Sequence, residues 1–298
     1  MKNNKPRLRY WLNLLTLTIF SFALTFLILV IYASNRWAQS HLHPARIIPT
    51  GAWLVENNIP YREIELTTKD GLKLAAWYTP PHAEGSGSVI LVAHGYNASR
   101  PENIYAMFAK HGYGVLAWDF RAHGLSGGDT CSLGYYEQLD VDAALDYLLM
   151  QPDVEHIGAW GGSMGAATVI LTVAKRPEIE AVVSDSAFPS LEDVIRLNTP
   201  IKIMQPFVLF FAEKQSRVDL DQARPVDEIA KISPRAVFII DGWDGAAVAM
   251  SSPYRLFDAA GEPKQLWVED GVPHLTMYGN DPIEYEKRVI GFFDEYLK

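Results

Sequence analysis

The sequence predicts an α/β domain with a mostly parallel sheet and helices on both faces, preceded by one N-terminal transmembrane helix. Short apolar runs rich in β-branched residues alternate with helical patterns, as they do in parallel sheets. Residues 11–34 contain no charged side chain. About 20 apolar residues suffice to cross a bilayer as a helix, so this run is long enough.

The N-terminal helix is predicted to be a retained anchor. Residues 1–10 carry four basic side chains and no acidic one. A cleavable signal peptide has a shorter apolar core and ends in a small-x-small site, and no good A-x-A site follows this run. The basic segment is therefore expected in the cytoplasm and the following domain outside it, with the lipid bilayer as partner. Aromatic residues lie at both ends of the run, as in interfacial belts: Tyr10, Trp11, Tyr32 and Trp37.

Residues 35–60 are predicted to be a connector, because they contain three prolines and show no clean period. The α/β domain follows at 61–298 and begins with two antiparallel strands around the turn signal Asp70-Gly71. Six further strands are predicted in SVILVA, YGVLAWD, EHIGAWG, IEAVVSD, RAVFIID and KQLWVED, with helices at 101–111, 135–150, 164–176, 252–260 and 282–297.

One long insertion breaks the alternation of strands and helices. About 50 residues separate IEAVVSD from RAVFIID, which is too many for a simple connection. The segment 187–224 is strongly apolar and is interrupted by Pro206. It is predicted to form a small helical cap over the sheet, with an ordinary core helix as the alternative.

Charge and cysteine content exclude several classes of function. The net charge is −9, whereas binding to a nucleic-acid backbone requires a basic face. The single cysteine, Cys131, cannot form an intrachain disulfide, and no Cys/His cluster has zinc spacing. No metal or organic cofactor is expected, and the oligomeric state is left open.

The segment Gly161–Gly165 fits the pattern G-x-S-x-G between a predicted strand and an Ala-rich helical run. In a sharp strand-to-helix turn, glycine avoids collisions and the serine oxygen is exposed. The helix N-terminus behind it favours a developing anion. Ser163 is therefore the predicted nucleophile, and a structural serine is the alternative.

The strand SVILVA ends in His94-Gly95-Tyr96-Asn97. In a strand–turn–helix arrangement of this type, the loop after that strand supplies one oxyanion donor, and the residue after the nucleophile supplies the other. The backbone amides of Tyr96 and Met164 are the predicted donors. The imidazole of His94 is expected to have a structural role.

The general base should come late in the chain, because the order in this arrangement is serine, acid, histidine. His274 follows the last predicted strand and is the predicted base. The competing histidines are less suitable, since they precede the sheet core, lie within elements or, for His123, lie in the segment DFRAHGLS. Asp244, in the loop after RAVFII, is the first choice for the acid. Asp241 and Asp185, at the ends of predicted strands, remain open as alternatives.

Several segments resemble the α/β-hydrolase superfamily over about residues 60–298, and more closely the bacterial membrane-anchored hydrolases related to serine aminopeptidases and prolyl oligopeptidase-like enzymes. The matching pieces are HGYNASR, DFRAHGLSGG, GGSMG, SDSAF, PVDEIAKISPR and GVPH. The resemblance implies the α/β-hydrolase fold. The sequence departs from the family pattern H-G-x-x-D-x-x-V-P, since Asp244 is one residue early and Gly245 stands at the acid position.

The expected function is hydrolysis of a carboxylic ester through an acyl-enzyme on Ser163. A serine peptidase or amidase is the alternative enzyme, and a non-catalytic anchored scaffold is the alternative that the departure at the acid suggests. Four apolar residues of the cap indicate either a pocket for an apolar group or packing of the cap: Phe207, Leu209, Phe210 and Phe211.

Overall fold

The computed structural model describes residues 5–82, 85–243 and 252–297. Within them, eight strands form one sheet in the spatial order β1-β2-β4-β3-β5-β6-β7-β8. The pairs β1–β2 and β2–β4 are antiparallel and all other neighbours are parallel, which confirms the predicted mostly parallel sheet. The strands are β1 Arg62–Thr67, β2 Lys73–Thr79, β3 Ser88–Ala93, β4 Gly114–Trp118, β5 His156–Gly162, β6 Ala181–Asp185, β7 Ala236–Trp243 and β8 Lys264–Asp270.

Helices follow the strands in alternation and also fill the insertion between β6 and β7. That insertion, predicted as a cap at 187–224, contains α6, α7 and two short 3-10 turns, at Lys202–Met204 and Leu220–Gln222. The helices are α1 Lys5–Leu42, α2 Ala52–Glu56, α3 Glu102–Lys110, α4 Gln138–Leu148, α5 Met164–Val173, α6 Leu191–Asn198, α7 Gln205–Ser216, α8 Pro225–Glu228, α9 Ser252–Ala259, α10 Met277–Asn280 and α11 Pro282–Tyr296.

The sheet has an apolar core on each face. Strand β3 is apolar throughout because both of its faces are covered. Leu91 belongs to the core under α4 and α5, and its neighbour Ile90 belongs to the core under α3 and α11. Successive side chains of a strand point to opposite faces, so a central strand with both faces covered needs apolar residues throughout.

Helix α1 is long and apolar enough to cross a membrane, and its C-terminal part packs on the domain. It continues without a break for eight residues into the segment predicted as a connector. The Gln215 side chain on α7 donates a hydrogen bond of 2.7 Å to Asn35 Oδ1. One face of α1, with residues four apart, is buried: Val30, Ser34, Ala38 and Leu42. The helix therefore does not end at residue 34, where the predicted connector begins.

A buried chain of hydrogen bonds joins β5, α11 and β6 on the α11 face of the sheet. Trp160 Nε1 donates to the hydroxyl of Tyr285 at 2.8 Å, and that hydroxyl donates to Asp185 Oδ2 at 2.8 Å. Burial raises the pKa of Asp185 to about 6, although the hydrogen bonds from Tyr285 and Ser186 oppose this shift. The folded protein therefore holds a proton on this carboxyl more tightly than an ordinary aspartate does.

This shift predicts a pH-dependent stability. The folded-state pKa of Asp185, about 6, lies above the ordinary value of 3.8, so stabilisation by the protonated carboxyl is present below pH 4 and lost as the pH rises through 6. Asp185→Asn removes the ionisation and retains a hydrogen-bonding side chain. We expect the Tm of the variant minus the Tm of the natural protein to be more positive at pH 7.5 than at pH 4.5. Both Tm values are measured by thermal unfolding in detergent.

The matched control is Asp153→Asn, on an exposed turn before β5. Its Tm difference from the natural protein should change little between the two pH values. Equal pH dependence in the two variants would contradict the assignment of the effect to the buried carboxyl.

Candidate active site

Ser163 lies at the bend between β5 and α5 with a strained backbone, φ 50° and ψ −113°. Few L-residues adopt this region, so the neighbouring packing must hold it in place. A Cβ atom at Gly161 would lie 2.6 Å from Ala166 Cα, and one at Gly165 would lie 2.6 Å from the carbonyl carbon of Ala93. The two outer glycines of the motif are therefore required by close backbone contacts, which bring α5 directly onto β3 and β5.

His274 lies within hydrogen-bond distance of the serine, with 2.9 Å between Nε2 and Ser163 Oγ. The loop from β8 to α10 that carries it is held at several points. The amide of Gly271 donates to Trp243 O at 2.6 Å, and the amide of Leu275 donates to Ser186 Oγ at 3.4 Å. The 2.9 Å between His274 Nε2 and Ser163 Oγ allows the imidazole to accept the serine proton directly.

The loop after β3 approaches the same serine. A Cβ atom at Gly95 would lie 3.5 Å from Ser163 Cβ, which is ordinary van der Waals contact, so the backbone of this loop lies directly beside the serine. Tyr96 and Met164, the predicted oxyanion residues, line the cavity that contains Ser163 and His274. Within the described part of the chain, neither amide donates a hydrogen bond to a protein acceptor. The two amides stay the predicted oxyanion donors.

Two buried histidines support this loop. His94 Nε2 accepts a hydrogen bond from the Phe120 amide at 2.9 Å, so Nδ1 carries the proton and donates to Gly95 O at 2.7 Å. Burial lowers the pKa of His94 to about 3, which keeps the ring neutral. His123 accepts from the Asn97 amide at 3.3 Å, and burial lowers its pKa also. These contacts place the His94 imidazole in the structural role predicted for it.

The structure describes two of the three candidate acids. Asp244 lies outside the described residues. Asp185 accepts hydrogen bonds from Tyr285 and Ser186, and burial together with the charge of Asp185 raises the pKa of Asp241 to about 7. Among the described residues, no hydrogen bond joins His274 to Asp185 or Asp241, so Asp244 stays the predicted acid.

A cavity of about 450 Å³ opens beside the serine and is lined mainly by apolar side chains. Of the described residues that line it, none is Asp, Glu, Lys or Arg. Its walls come from the loops around Ser163, from α6 and α7, and from the last turn of α1. None of the four apolar cap residues noted above lines it: Phe207 and Leu209 pack against the core, and Phe210 is 55% exposed.

Two parts of this site were not predicted from the sequence. Ser186, with φ 60°, contacts both the Leu275 amide and Asp185 and lines the cavity; its segment SDSAF carried the family resemblance but no assigned role. The last turn of α1 contributes Trp37, Ala38 and His41 to the wall. The only sequence signal for that wall is the four-residue spacing of small and apolar residues from Val30 onward.

Comparison with known proteins agrees with this geometry. The family model described as serine aminopeptidase, S33, matches residues 85–224. The Mycobacterium tuberculosis protein Rv2307c is 32% identical over 233 residues, covering 77% of this chain and 76% of that protein. The Arabidopsis thaliana α/β-hydrolase domain-containing protein WAV2 is 26% identical over 260 residues, 80% of each chain.

Among solved structures, the esterase Pf2001 of Pyrococcus furiosus superimposes with a TM-score of 0.71 at 26% identity. The match covers 86% of this chain and all of the esterase. The sheet order, the strained serine between β5 and α5 and these similarities together show that the chain is a hydrolase that belongs to the α/β-hydrolase superfamily, in the group described by the serine aminopeptidase S33 model.

Proposed function

We propose that the chain is a serine carboxylesterase. The observation that carries this proposal is the 2.9 Å approach of His274 Nε2 to Ser163 Oγ at a strained strand-to-helix bend. His274 accepts the hydroxyl proton as Ser163 Oγ attacks the ester carbonyl, and the oxyanion is stabilised by the amides of Tyr96 and Met164. The C–O bond breaks, the alcohol leaves with the proton from His274, and an acyl-enzyme remains. Water then attacks that ester with His274 as base, releasing the acid and Ser163.

The lining of the cavity favours an ester over a peptide substrate. An aminopeptidase must hold a charged α-amino group, which is costly to bury without an opposite charge. Among the described residues, the cavity wall carries no carboxylate. The similarity to an esterase, Pf2001, supports the same preference, whereas the S33 description keeps an aminopeptidase as the second candidate.

We also propose that α1 is a retained anchor with residues 1–10 in the cytoplasm and the catalytic domain outside. A cleaved signal peptide leaves the folded protein, whereas α1 forms part of the domain's packing through Ala38 and Leu42. The basic N-terminal segment supports the orientation.

The nucleophile is tested by labelling with a fluorophosphonate probe in detergent. The natural protein should be labelled at neutral pH, because the imidazole beside Ser163 activates its oxygen, and Ser163→Ala should not be labelled. Ser86→Ala, at an exposed position before β3, is the control and should be labelled normally. Absence of labelling in the natural protein would favour a non-catalytic scaffold.

The acid is tested by comparing Asp244→Asn with Asp185→Asn and Asp241→Asn. Loss of the acid partner leaves the imidazole in the wrong tautomer, so Asp244→Asn should lower kcat by about 10⁴-fold. The other two variants should retain most of the activity at pH 7.5, measured with p-nitrophenyl butyrate. A larger loss in Asp185→Asn would assign the acid to the end of β6.

Substrate preference is tested by a panel of p-nitrophenyl esters and aminoacyl p-nitroanilides. A cavity without opposite charge should give kcat/KM values at least 10-fold higher for apolar esters than for any aminoacyl anilide with a free amino group. Faster cleavage of the anilides would establish the aminopeptidase instead.

A further inference from the structure

The cavity beside Ser163 is partly built from the transmembrane helix itself. Trp37, Ala38 and His41 of α1 lie on its wall, opposite residues of the cap helix α6. Trp37 and His41 stack with ring centroids 3.8 Å apart, so this turn of the helix presents a stable aromatic surface. The same helix thus contains the predicted membrane segment and forms part of the wall of the candidate substrate pocket.

Helix geometry fixes the height of the cavity above the bilayer. The charge-free run ends at Ser34, and α1 continues from it without a break. At 1.5 Å per residue, Trp37 and His41 lie about 5 Å and 10 Å beyond that end. The headgroup layer on each side of a bilayer is roughly 5–8 Å thick. The cavity wall therefore lies at the level of the lipid headgroups or directly above them.

Among the described residues, the packing of α1 on α7 leaves no flexible spacer that would lift the domain away from this level. Val30 and Ser34 belong to the apolar run but are already buried against the domain. The Ser34 hydroxyl donates a hydrogen bond of 2.7 Å to Val30 O. Gln215 on α7 is hydrogen-bonded to Asn35, one residue beyond the run. The cap is thus attached to α1 where the helix leaves the hydrocarbon layer.

Apart from Ser163, Ser186 and His274, the cavity is lined mainly by apolar side chains, with His41 and Asn198 as the polar exceptions. Ser163 and His274 are at the reactive end, and Val194, Ile195 and Leu197 of α6 line the wall farther along the chain of the cap. Leu197 is 49% exposed, so this apolar wall reaches the protein surface. A molecule with an ester group and a long apolar chain matches a reactive serine beside a mainly apolar wall, and such molecules partition into bilayers.

We propose that the substrate is a membrane-resident ester with a long acyl chain, which enters the cavity directly from the leaflet where α1 emerges. The last turn of α1 forms part of the acyl-binding wall. The proposal rests on the proposed esterase function and on α1 as a retained anchor. Water is consumed, the ester C–O bond breaks, and a fatty acid and an alcohol are released.

The route of entry is tested with the full chain reconstituted in phosphatidylcholine vesicles. p-Nitrophenyl palmitate is placed either in the same vesicles as the protein or in separate vesicles without protein. Direct entry from the leaflet predicts hydrolysis at least 10-fold faster in the first arrangement, because transfer of a long-chain ester through water is slow. Equal rates in the two arrangements would overturn the proposal.

The role of α1 is tested by the substitution Ala38→Trp, with Ala33→Trp as the matched control. Ala38 is buried at the cavity wall, whereas Ala33 is exposed on another face of the same helix. The ratio of palmitate to acetate ester hydrolysis should fall at least 10-fold in Ala38→Trp and stay within twofold in Ala33→Trp. Leu197→Trp narrows the cavity from the half-exposed wall on α6 and should lower the same ratio, which keeps the test decisive if Ala38→Trp fails to fold.

The acetate ester and the fluorophosphonate probe separate the two levels of proposal. Labelling of Ser163 and acetate hydrolysis with an unchanged palmitate-to-acetate ratio in both Ala38→Trp and Leu197→Trp would overturn the acyl-wall assignment and leave the esterase function standing. Absence of both labelling and acetate hydrolysis in the natural protein would overturn the esterase function, and this inference with it.

Discussion

The geometry of the candidate active site depends on the close backbone contact between the start of α5 and the end of β3. Gly165 lies so near Ala93 that any side chain would displace one of the two elements. The contact forces the chain to turn sharply after β5, and Ser163 takes the positive φ that this turn requires. The Ser163 amide donates to Asp185 O at 2.8 Å, so the neighbouring strand also holds the bend. One steric constraint thus positions the serine, its helix N-terminus and the loop at Gly95.

Buried polar groups keep the adjoining loops in place without weakening the core. Asp119 accepts hydrogen bonds from the amides of Arg100 and Leu125 and pairs with the Arg100 guanidinium at 3.3 Å. A buried carboxylate is tolerated when its oxygens are paired and hydrogen-bonded in this way. Gly124 belongs to the same arrangement, because a side chain there would collide with the Asp119 carboxylate. The DFRAHGLSGG segment therefore supports the loop after β3, which carries the predicted oxyanion donor Tyr96.

Most of the sheet could be predicted because its buried strands are visible in the sequence as short apolar runs. Strands β3 and β8 begin and end where the apolar runs SVILVA and KQLWVED do. Strand β7 ends two residues later than predicted, since Gly242 and Trp243 pair with Glu269 and Asp270 of β8, and a pairing partner is not visible in a local pattern. The strained turn was predictable too, because only glycine satisfies its contacts and the spacing of glycines is visible in the sequence.

The parts that could not be predicted depend on contacts between distant segments. The turn at Trp37–Leu42 contains polar residues and small ones, and its helical state depends on packing against α7 and the cavity, about 170 residues farther along the chain. Ser186 follows β6, and its contact with the Leu275 amide likewise forms only when the loop after β6 meets the loop after β8. The acid is a third case, because a one-residue displacement in a loop leaves several carboxylates within plausible reach of one imidazole.

The arrangement of α1 gives the fold a property that neither the anchor nor the hydrolase domain has alone. An anchor joined by a flexible linker lets a domain sample many heights and orientations above the bilayer. Here α1 is one continuous helix whose face at Val30, Ser34, Ala38 and Leu42 is buried, so the proposed anchor would hold the cap at one height and in one orientation. Since part of the cavity wall comes from the same helix, helix geometry would set the distance from the hydrocarbon layer to that wall when α1 spans a bilayer as proposed. That coupling explains why part of the pocket is encoded outside the residues that resemble the hydrolase family.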